Sequence, residues 1–200
     1  LLSRRTSRQG PRRYDRGRGL GGSSTINYMI AHRAMLEDYD NWAEQGCEGW
    51  SGEELLSDMN RLENDLDYGD APYHGNRGPV TIYRPTFAQW GKVDLALLEA
   101  GLELGYPWDP DLNAPESTGI CAMPVNRSQV GRMSTNDAYL EPARDRSNLT
   151  ILGETHVDHV LFDGSRAIGV RAHRDGQSIK LFGHEIIIAA GAAFSPAILL

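Results

Sequence analysis

The residues best suited to chemistry in this sequence are Arg18-Gly19-Leu20-Gly21-Gly22-Ser23-Ser24-Thr25-Ile26-Asn27. A glycine pair lets backbone pass where a Cβ would collide with another strand or with a ligand. Ser23, Ser24 or Thr25 can cap a helix over the apolar run Ile26–Ala31, and the free N–H groups at such a helix start make an anion site. Arg18 adds a permanent positive charge that suits a phosphate. On residue types alone two readings stand: a tight turn before a capped helix, or a cradle for a phosphate-bearing ligand. A second stretch of small residues, Ala190-Gly191-Ala192-Ala193, follows the apolar run Glu185–Ala190 and would also let something approach the backbone.

Other candidates carry less. Of the histidines at 32, 74, 156, 159, 173 and 184, only His156 and His159 are near neighbours. On a strand an i,i+3 pair points to opposite faces, which makes a poor chelate. His74 stands beside Gly75 in a turn-rich link and reads as a loop residue. Asp109-x-Asp111-x-Asn113 lacks the glycine and distal glutamate of a calcium loop, and reads as a loop after a helix. The carboxylates from Glu37 to Asp65 read as the polar face of amphipathic helices. Cys47 and Cys121 form neither a disulfide framework nor a zinc spacing, and are expected to be reduced and buried. No catalytic triad or metal site is assigned.

The elements that must position these residues are legible in part. Asp38–Ala43 reads as a short helix ended by Gly46. Ser51 reads as an N-cap with Glu54 completing a capping box before Leu55, Leu56, Met59 and Leu62. A strand is expected at 80–83, and a helix at 89–105 with Val93, Leu97, Leu98, Gly101 and Leu102 turned inward. Another strand falls within 119–127, and Ser134 opens a helix ending at Pro142. Beyond Asn148 the pattern turns to β: runs over 150–162, 167–173 and 178–182, with Asp163-Gly164 and Asp175-Gly176 as hairpin signals. The run 185–190 is apolar on consecutive positions, as a strand covered on both faces would be, and Ser195-Pro196 reads as a helix opening. The arginine-rich residues 1–17 read as a loop. A net charge of −7 argues against non-specific nucleic-acid binding, and no apolar run is long enough to cross a membrane.

Gly-Gly-Ser-Ser-x-Ile-Asn at 21–27 resembles the first signature of the glucose–methanol–choline oxidoreductases. Glu185–Ala192 followed by Ser195-Pro196 resembles the opening of that family's second signature. Between them Asn148-Leu149-Thr150, Val157, Gly164, Ala167 and Gly169-Val170 fall in family order, so the resemblance covers nearly the whole chain. It implies an α/β fold: part of a doubly wound FAD-binding domain with a β-meander, plus part of an α+β substrate domain, with the turn Asp111-x-Asn113 at that domain's surface. The expected division is 1–70 and 145–200 for the FAD domain and 71–144 for the start of the substrate domain. The implied activity is FAD-dependent oxidation of an alcohol's CH–OH group, with oxygen or a quinone as acceptor. A hydroxynitrile lyase-type relative, or a non-catalytic phosphate-binding module, are the alternatives.

For the cofactor, the resemblance places Gly19, Gly21 and Gly22 against FAD, with Asn27, Tyr28, Met29 and Ile30 lining the flavin. Arg18, Ser23 and Ser24 join them as phosphate-facing candidates, Val157 would meet adenine through its backbone, and Ala190 and Gly191 would flank the cofactor. Tyr28 stands where the family often has a small residue. Some relatives bond the flavin through a histidine where this chain has Ile26, so a dissociable FAD is expected. No Gly-x-Gly-x-x-Gly turn precedes residue 18, which reads the chain as an internal fragment with its catalytic histidine elsewhere. A cytoplasmic location is favoured.

Overall fold

The computed structural model describes residues 2–4, 6–128 and 130–200. They divide into two compact units, Leu1–Arg146 and Ser147–Leu200. The first unit holds β1 (Leu2–Ser3), β2 (Arg12–Arg13), a tight turn at Gly22–Thr25, α1 (Leu36–Glu44), α2 (Gly52–Leu62) and β3 (Glu63–Asp65). It continues with β4 (Val80–Tyr83), α3 (Lys92–Glu103), β5 (Val125–Ser128), β6 (Gly131–Arg132) and short helical turns at Asn136–Leu140 and Glu141–Ala143. The second unit holds β7 (Thr155–Asp163), β8 (Arg166–Arg174), β9 (Gln177–Phe182) and α4 (Gly191–Leu199). The architecture is α/β.

Local chemistry explains the first helices. Glu37 and Asp38 sit in the first turn of α1, where carboxylates complement the helix dipole. The expected capping box opens α2: Ser51 Oγ accepts from Glu54 N, and Glu54 Oε2 accepts from Ser51 N at 3.1 Å. Asp40 Oδ1 accepts from Gly52 N at 2.9 Å, and a Cβ on Gly52 would collide with Leu36, so the two helices meet at a glycine. At Glu63 the backbone turns extended (φ −107°, ψ 154°) and α2 passes straight into β3.

β3 pairs parallel to β4, β4 antiparallel to β5, and β5 antiparallel to β6. The β3–β4 pairing sets Glu63 opposite Val80 and Asp65 opposite Ile82, across the boundary drawn at residue 70. The expected strand within 119–127 is confined to β5; Ile120 instead bridges Trp108. Within the arginine-rich residues 1–17, expected as a loop, Leu2–Ser3 and Arg12–Arg13 pair as the antiparallel ribbon β1–β2.

α3 corrects one expectation. Val93, Leu97 and Leu102 are exposed rather than inward, at 81%, 71% and 45%. The helix rests instead on Leu98 and on Gly101, where a Cβ would collide with Ile120. Cys47 is likewise exposed and Cys121 half-buried, both free.

In the second unit β7, β8 and β9 form an antiparallel meander. Asp163 pairs with Arg166 and Arg174 with Gln177, leaving two-residue turns. In the second turn Asp175 and Gly176 have φ of 50° and 75°, as the tight hairpin turn requires. Val157 faces Ala172 and Val160 faces Val170, with Ala172 and Val160 buried. A bulge between Val157 and His159 sets His159 opposite Arg171, two residues from His173, the partner of His156. His156 and His159 therefore share a face, contrary to the strict alternation of an unbulged strand. The run Ile186–Ala190 pairs with no strand among the described residues, and Ile187 is exposed. Apolar sequence favours a strand only where a neighbour completes its ladder. α4 starts at Gly191, four residues before Ser195.

Candidate functional site

The turn at 17–25 uses its glycines in two ways. A Cβ on Gly17 would collide with the Gly22 carbonyl, and one on Gly21 would press on Thr25, Ser134 and Asn136. These two glycines are required by the protein's own packing. Gly19 (φ 128°) and Gly22 (φ 51°) also have left-handed backbone, yet a Cβ on either would enter open space. That is a surface from which side chains are absent and backbone is offered.

The three hydroxyls do not cap a helix. Ser23 Oγ accepts from Gly17 N at 3.1 Å, Thr25 Oγ1 donates to the Gly22 carbonyl at 2.7 Å, and Ser24 Oγ donates to the Gly21 carbonyl. Ser24 Oγ also accepts from Thr135 N at 2.9 Å. They fold the turn and tie it to the segment after β6. The helix expected over Ile26–Ala31 is absent, because the segment's backbone pairs elsewhere: Ile30 bridges Val125, Asn126 N donates to the Met29 carbonyl, and Ala31 N donates to the Pro124 carbonyl. Met29 itself is left-handed, at φ 62°. Asn27 Oδ1 accepts from Met29 N at 3.1 Å and from Arg132 at 2.6 Å. No helix dipole therefore faces the turn, and any anion there would be met by turn N–H groups and the exposed Arg18. Tyr28 and Ile30 are exposed at 90% and 54%, an apolar surface beside the polar turn.

In the second unit, Val157 lies on β7, an edge strand of the meander, so one of its edges has no partner there. Ala190 N donates to Ser195 Oγ at 3.0 Å. Gly191 is left-handed (φ 83°) and faces open space, like Gly19 and Gly22. Within the first unit, the open glycines Gly19 and Gly22, the exposed Arg18 and the apolar lip of Tyr28 and Ile30 suit a ligand with phosphates at one end and a flat ring at the other. The residues present fit FAD.

A second constellation was not visible along the chain. His74, expected in a loop, is buried with its side chain fully enclosed. Its Nδ1 lies 2.6 Å from Glu63 Oε1 and its Nε2 lies 2.8 Å from Asp111 Oδ2. Asp65 Oδ2 is 3.4 Å from Nδ1. Arg84 donates to both Asp65 oxygens at 2.9 Å and to Asp111 Oδ1 at 2.5 Å. Arg33 reaches Glu63 Oε1 at 2.6 Å. Glu63 and Asp65 thus sit on a buried strand face, not a helix's polar face. Asp111 is 2% exposed and Asn113 9%, so the Asp-x-Asn turn is internal rather than at the surface.

The electrostatics follow from the contacts. Each ring nitrogen of His74 faces a carboxylate oxygen, so each must carry a proton. Burial alone would lower the His74 pKa, but the bonds to Asp111 and Glu63 and the charges of Glu63 and Asp65 outweigh it and push it up to about 9. Burial works to raise Asp111, yet the His74 bond and the Arg84 charge hold it below the usual carboxylate range. With an imidazolium at 74, the cations His74, Arg33 and Arg84 balance Glu63, Asp65 and Asp111. Glu63, Asp65 and His74 also stand at metal-ligand spacing, within 4.8 Å of one another. However, two guanidinium groups already occupy the carboxylates, and a metal cation would lie against them. The arrangement suits a buried imidazolium.

The glycines explain how this cluster closes. A Cβ on Gly75 would collide with the Asn60 carbonyl, one on Gly78 with Glu63 N, and one on Gly69 with the Asp65 carbonyl. The Gly-x-x-Gly spacing after His74 was the available signal: close backbone approach to a neighbouring strand.

Comparison with known proteins yields consistent matches. The family model described as GMC oxidoreductase matches residues 4–200. A 5-(hydroxymethyl)furfural oxidase from Methylovorus sp. (strain MP688) is 35% identical over 191 residues, covering 95% of this chain and 36% of that protein. An oxygen-dependent choline dehydrogenase from Escherichia coli (strain SMS-3-5 / SECEC) is 40% identical over 191 residues, covering 92% of this chain and 33% of that protein. Among solved structures, a pyridoxine 4-oxidase from Mesorbium loti superposes with a TM-score of 0.86 at 31% identity, covering 92% of this chain and 36% of that one. The chain spans about a third of the length of the curated relatives it matches.

Proposed function

This chain belongs to the GMC oxidoreductase family, and from that premise we propose that it forms part of the FAD site of an enzyme that oxidises the CH–OH group of an alcohol. The observation that carries the reading is the open, left-handed pair Gly19 and Gly22, inside a family match that spans residues 4–200. The first relatives support the substrate class, since choline and 5-(hydroxymethyl)furfural both bear a primary alcohol. The regions 1–70 and 145–200 serve the FAD domain, and 71–144 begin the substrate domain.

In this reading, Arg18 and the N–H groups of the glycine turn hold phosphate charge, with Gly19, Gly21 and Gly22 keeping side chains out of its way. Ser23 and Ser24 contribute by fixing the turn. Asn27, Tyr28, Met29 and Ile30 cover the flavin ring and shed water from it. Val157 meets adenine through backbone groups of an edge strand, while Ala190 and Gly191 flank the cofactor. When bound, FAD supplies the two-electron acceptor for hydride leaving the alcohol carbon. No residue described here acts as the base.

The cofactor is held without a covalent bond. Ile26, immediately before Asn27, offers no nucleophilic atom, and His32 lies on the extended path beyond Ile30. The test is to purify a full-length protein carrying this segment, record its visible spectrum, and add choline or an aryl alcohol without oxygen. A flavin band that bleaches supports the assignment, and absence of flavin overturns it. Acid precipitation should then release the colour to the supernatant; colour in the pellet would refute non-covalent attachment.

A further inference from the structure

The buried His74 cluster is joined to the proposed flavin-facing segment by a closed circuit of hydrogen bonds. His74 Nδ1 meets Glu63 Oε1, which also takes Arg33. Arg33 N donates to Asn113 Oδ1 at 3.0 Å, Asn113 N donates to Asp111 Oδ1 at 3.1 Å, and Asp111 Oδ2 returns to His74 Nε2. Asn113 Nδ2 also donates to the Ala31 carbonyl at 3.0 Å, and Arg33 donates to the Tyr73 carbonyl and Asn60 Oδ1. The backbone from Ala31 to Arg33 is therefore gripped on both sides. It begins directly after Ile30, whose own bridge to Val125 fixes the other margin of the strap.

We propose that His74 is a positioning residue: as a buried imidazolium it holds the strap 31–33, and through it sets where Asn27–Ile30 stand against the cofactor. This rests on the FAD reading above. The physical argument is one of connectivity and charge. Glu63 and Asp111 belong to different elements, β3 and the loop after α3, and only a doubly protonated ring can satisfy both. With a neutral ring, one nitrogen lone pair would face a carboxylate and the cluster would hold an uncompensated negative charge in a buried site. The relaxation available is separation of the 109–113 loop from β3, which carries Asn113 away from Arg33 and Ala31. The other groups facing the ring do not offer a substitute proton donor. Both Asp65 oxygens accept from Arg84, Arg84 is committed to Asp65 and Asp111, Arg33 to Glu63, and Tyr68 and Tyr73 meet the ring at 6.3 and 5.0 Å between centroids. The Asp67 carboxylate accepts from Arg84 at the half-exposed rim, and Asp67 N donates to Asp65 Oδ1.

The experiment uses a full-length protein carrying this segment, first stripped of flavin. Hydrogen–deuterium exchange is followed in peptides spanning 27–33, for wild type, His74→Gln, Asn113→Ala and the control Ile82→Ala. Ile82 is a buried apolar residue outside the circuit; its truncation removes side-chain packing and lowers stability while cutting none of the strap's hydrogen bonds, since its pairing with Asp65 and Asn126 is made by backbone. Exchange at 27–33 should rise at least about tenfold in His74→Gln and Asn113→Ala, and stay near wild type in Ile82→Ala. FAD is then added back, and its dissociation constant should rise about tenfold in the first two variants only. If His74→Gln does not fold, Asn113→Ala decides, because it cuts the same circuit without removing a charge. Equal exchange at 27–33 in Asn113→Ala and wild type overturns the proposal, as does an equal rise in Ile82→Ala. Failure of wild type to take up FAD overturns the functional reading instead, and is told apart because the exchange result precedes the cofactor.

Discussion

Raising the pH should weaken the first unit through His74. Its pKa is about 9 in the folded protein against an ordinary 6.5. Between those values the folded state holds a proton that the unfolded chain has released, so stability falls as pH rises. The contribution is fully present below about pH 6.5 and gone once the folded group titrates near 9. A displacement of this size corresponds to about 3 kcal/mol, lost at up to about 1.4 kcal/mol per pH unit. Burial raises the Cys121 thiol and the Tyr68 hydroxyl above their ordinary values, which lie at or beyond the top of this range. They are present in wild type and in His74→Gln alike, so the difference between the two isolates the imidazole. Urea unfolding followed by tryptophan fluorescence from pH 6 to 9.5 should show that difference shrinking by about 3 kcal/mol. A gap that stays constant across the range, or widens, would refute the argument that both ring nitrogens carry protons.

Two further outcomes bear on the glycine turn and the meander. Gly22→Ala should leave the fold intact at a cost of about 1–2 kcal/mol for its left-handed backbone, while FAD affinity falls sharply; Gly17→Ala, which drives a methyl into the Gly22 carbonyl, should disturb the turn itself. Fluorescence titration with FAD and a melting curve separate the two, and normal FAD affinity in Gly22→Ala would count against ligand approach at that backbone. For Val157, substitution by Ile should keep FAD bound and substitution by Pro should lose it, since Pro removes the N–H; equal retention in both folded variants would speak against a backbone contact to adenine.

What could be read along the chain was what is decided within a few residues. The Ser51–Glu54 capping box and the Asp175-Gly176 hairpin turn are complete over three or four positions, and both stand as expected. Ile26–Ala31 was read as a helix because its apolar residues allow one. Its real partners, Pro124 to Asn126, lie nearly a hundred residues away. The stripe on α3 follows helical spacing, but spacing does not say what covers it. His74 does lie in a loop, but its burial is not legible, for its partners Glu63 and Asp111 are 11 and 37 residues distant. Carboxylates were assigned to solvent because most belong there; burial of three of them depends on cations that only the fold delivers. The glycine-rich turn is legible as a turn, whereas Arg132 and Thr135, which hold it in place, carry no local signal.

The ionic interior of the first unit has a consequence for how it folds. Its members come from positions 33, 63, 65, 74, 84 and 111, so the charges cannot be matched until a long stretch of chain has closed upon itself. Loop closure costs entropy before any contact repays it, and a half-built cluster is worse than a hydrated one because desolvated charge lacks its partner. Partial collapse around Glu63 and Asp65 is therefore disfavoured, and the network locks last and as a whole. The meander of the second unit, built from two-residue turns between adjacent strands, faces no such delay. In a φ-value analysis, conservative changes at His74 and Asp111 should speed unfolding and leave the folding rate nearly unchanged, with φ near zero; values near one would place the cluster in the nucleus. During synthesis the same logic keeps Glu63, Asp65 and His74 solvated until Asp111 has left the ribosome. The buried charges thus act as a checkpoint that admits the complete topology and rejects its fragments.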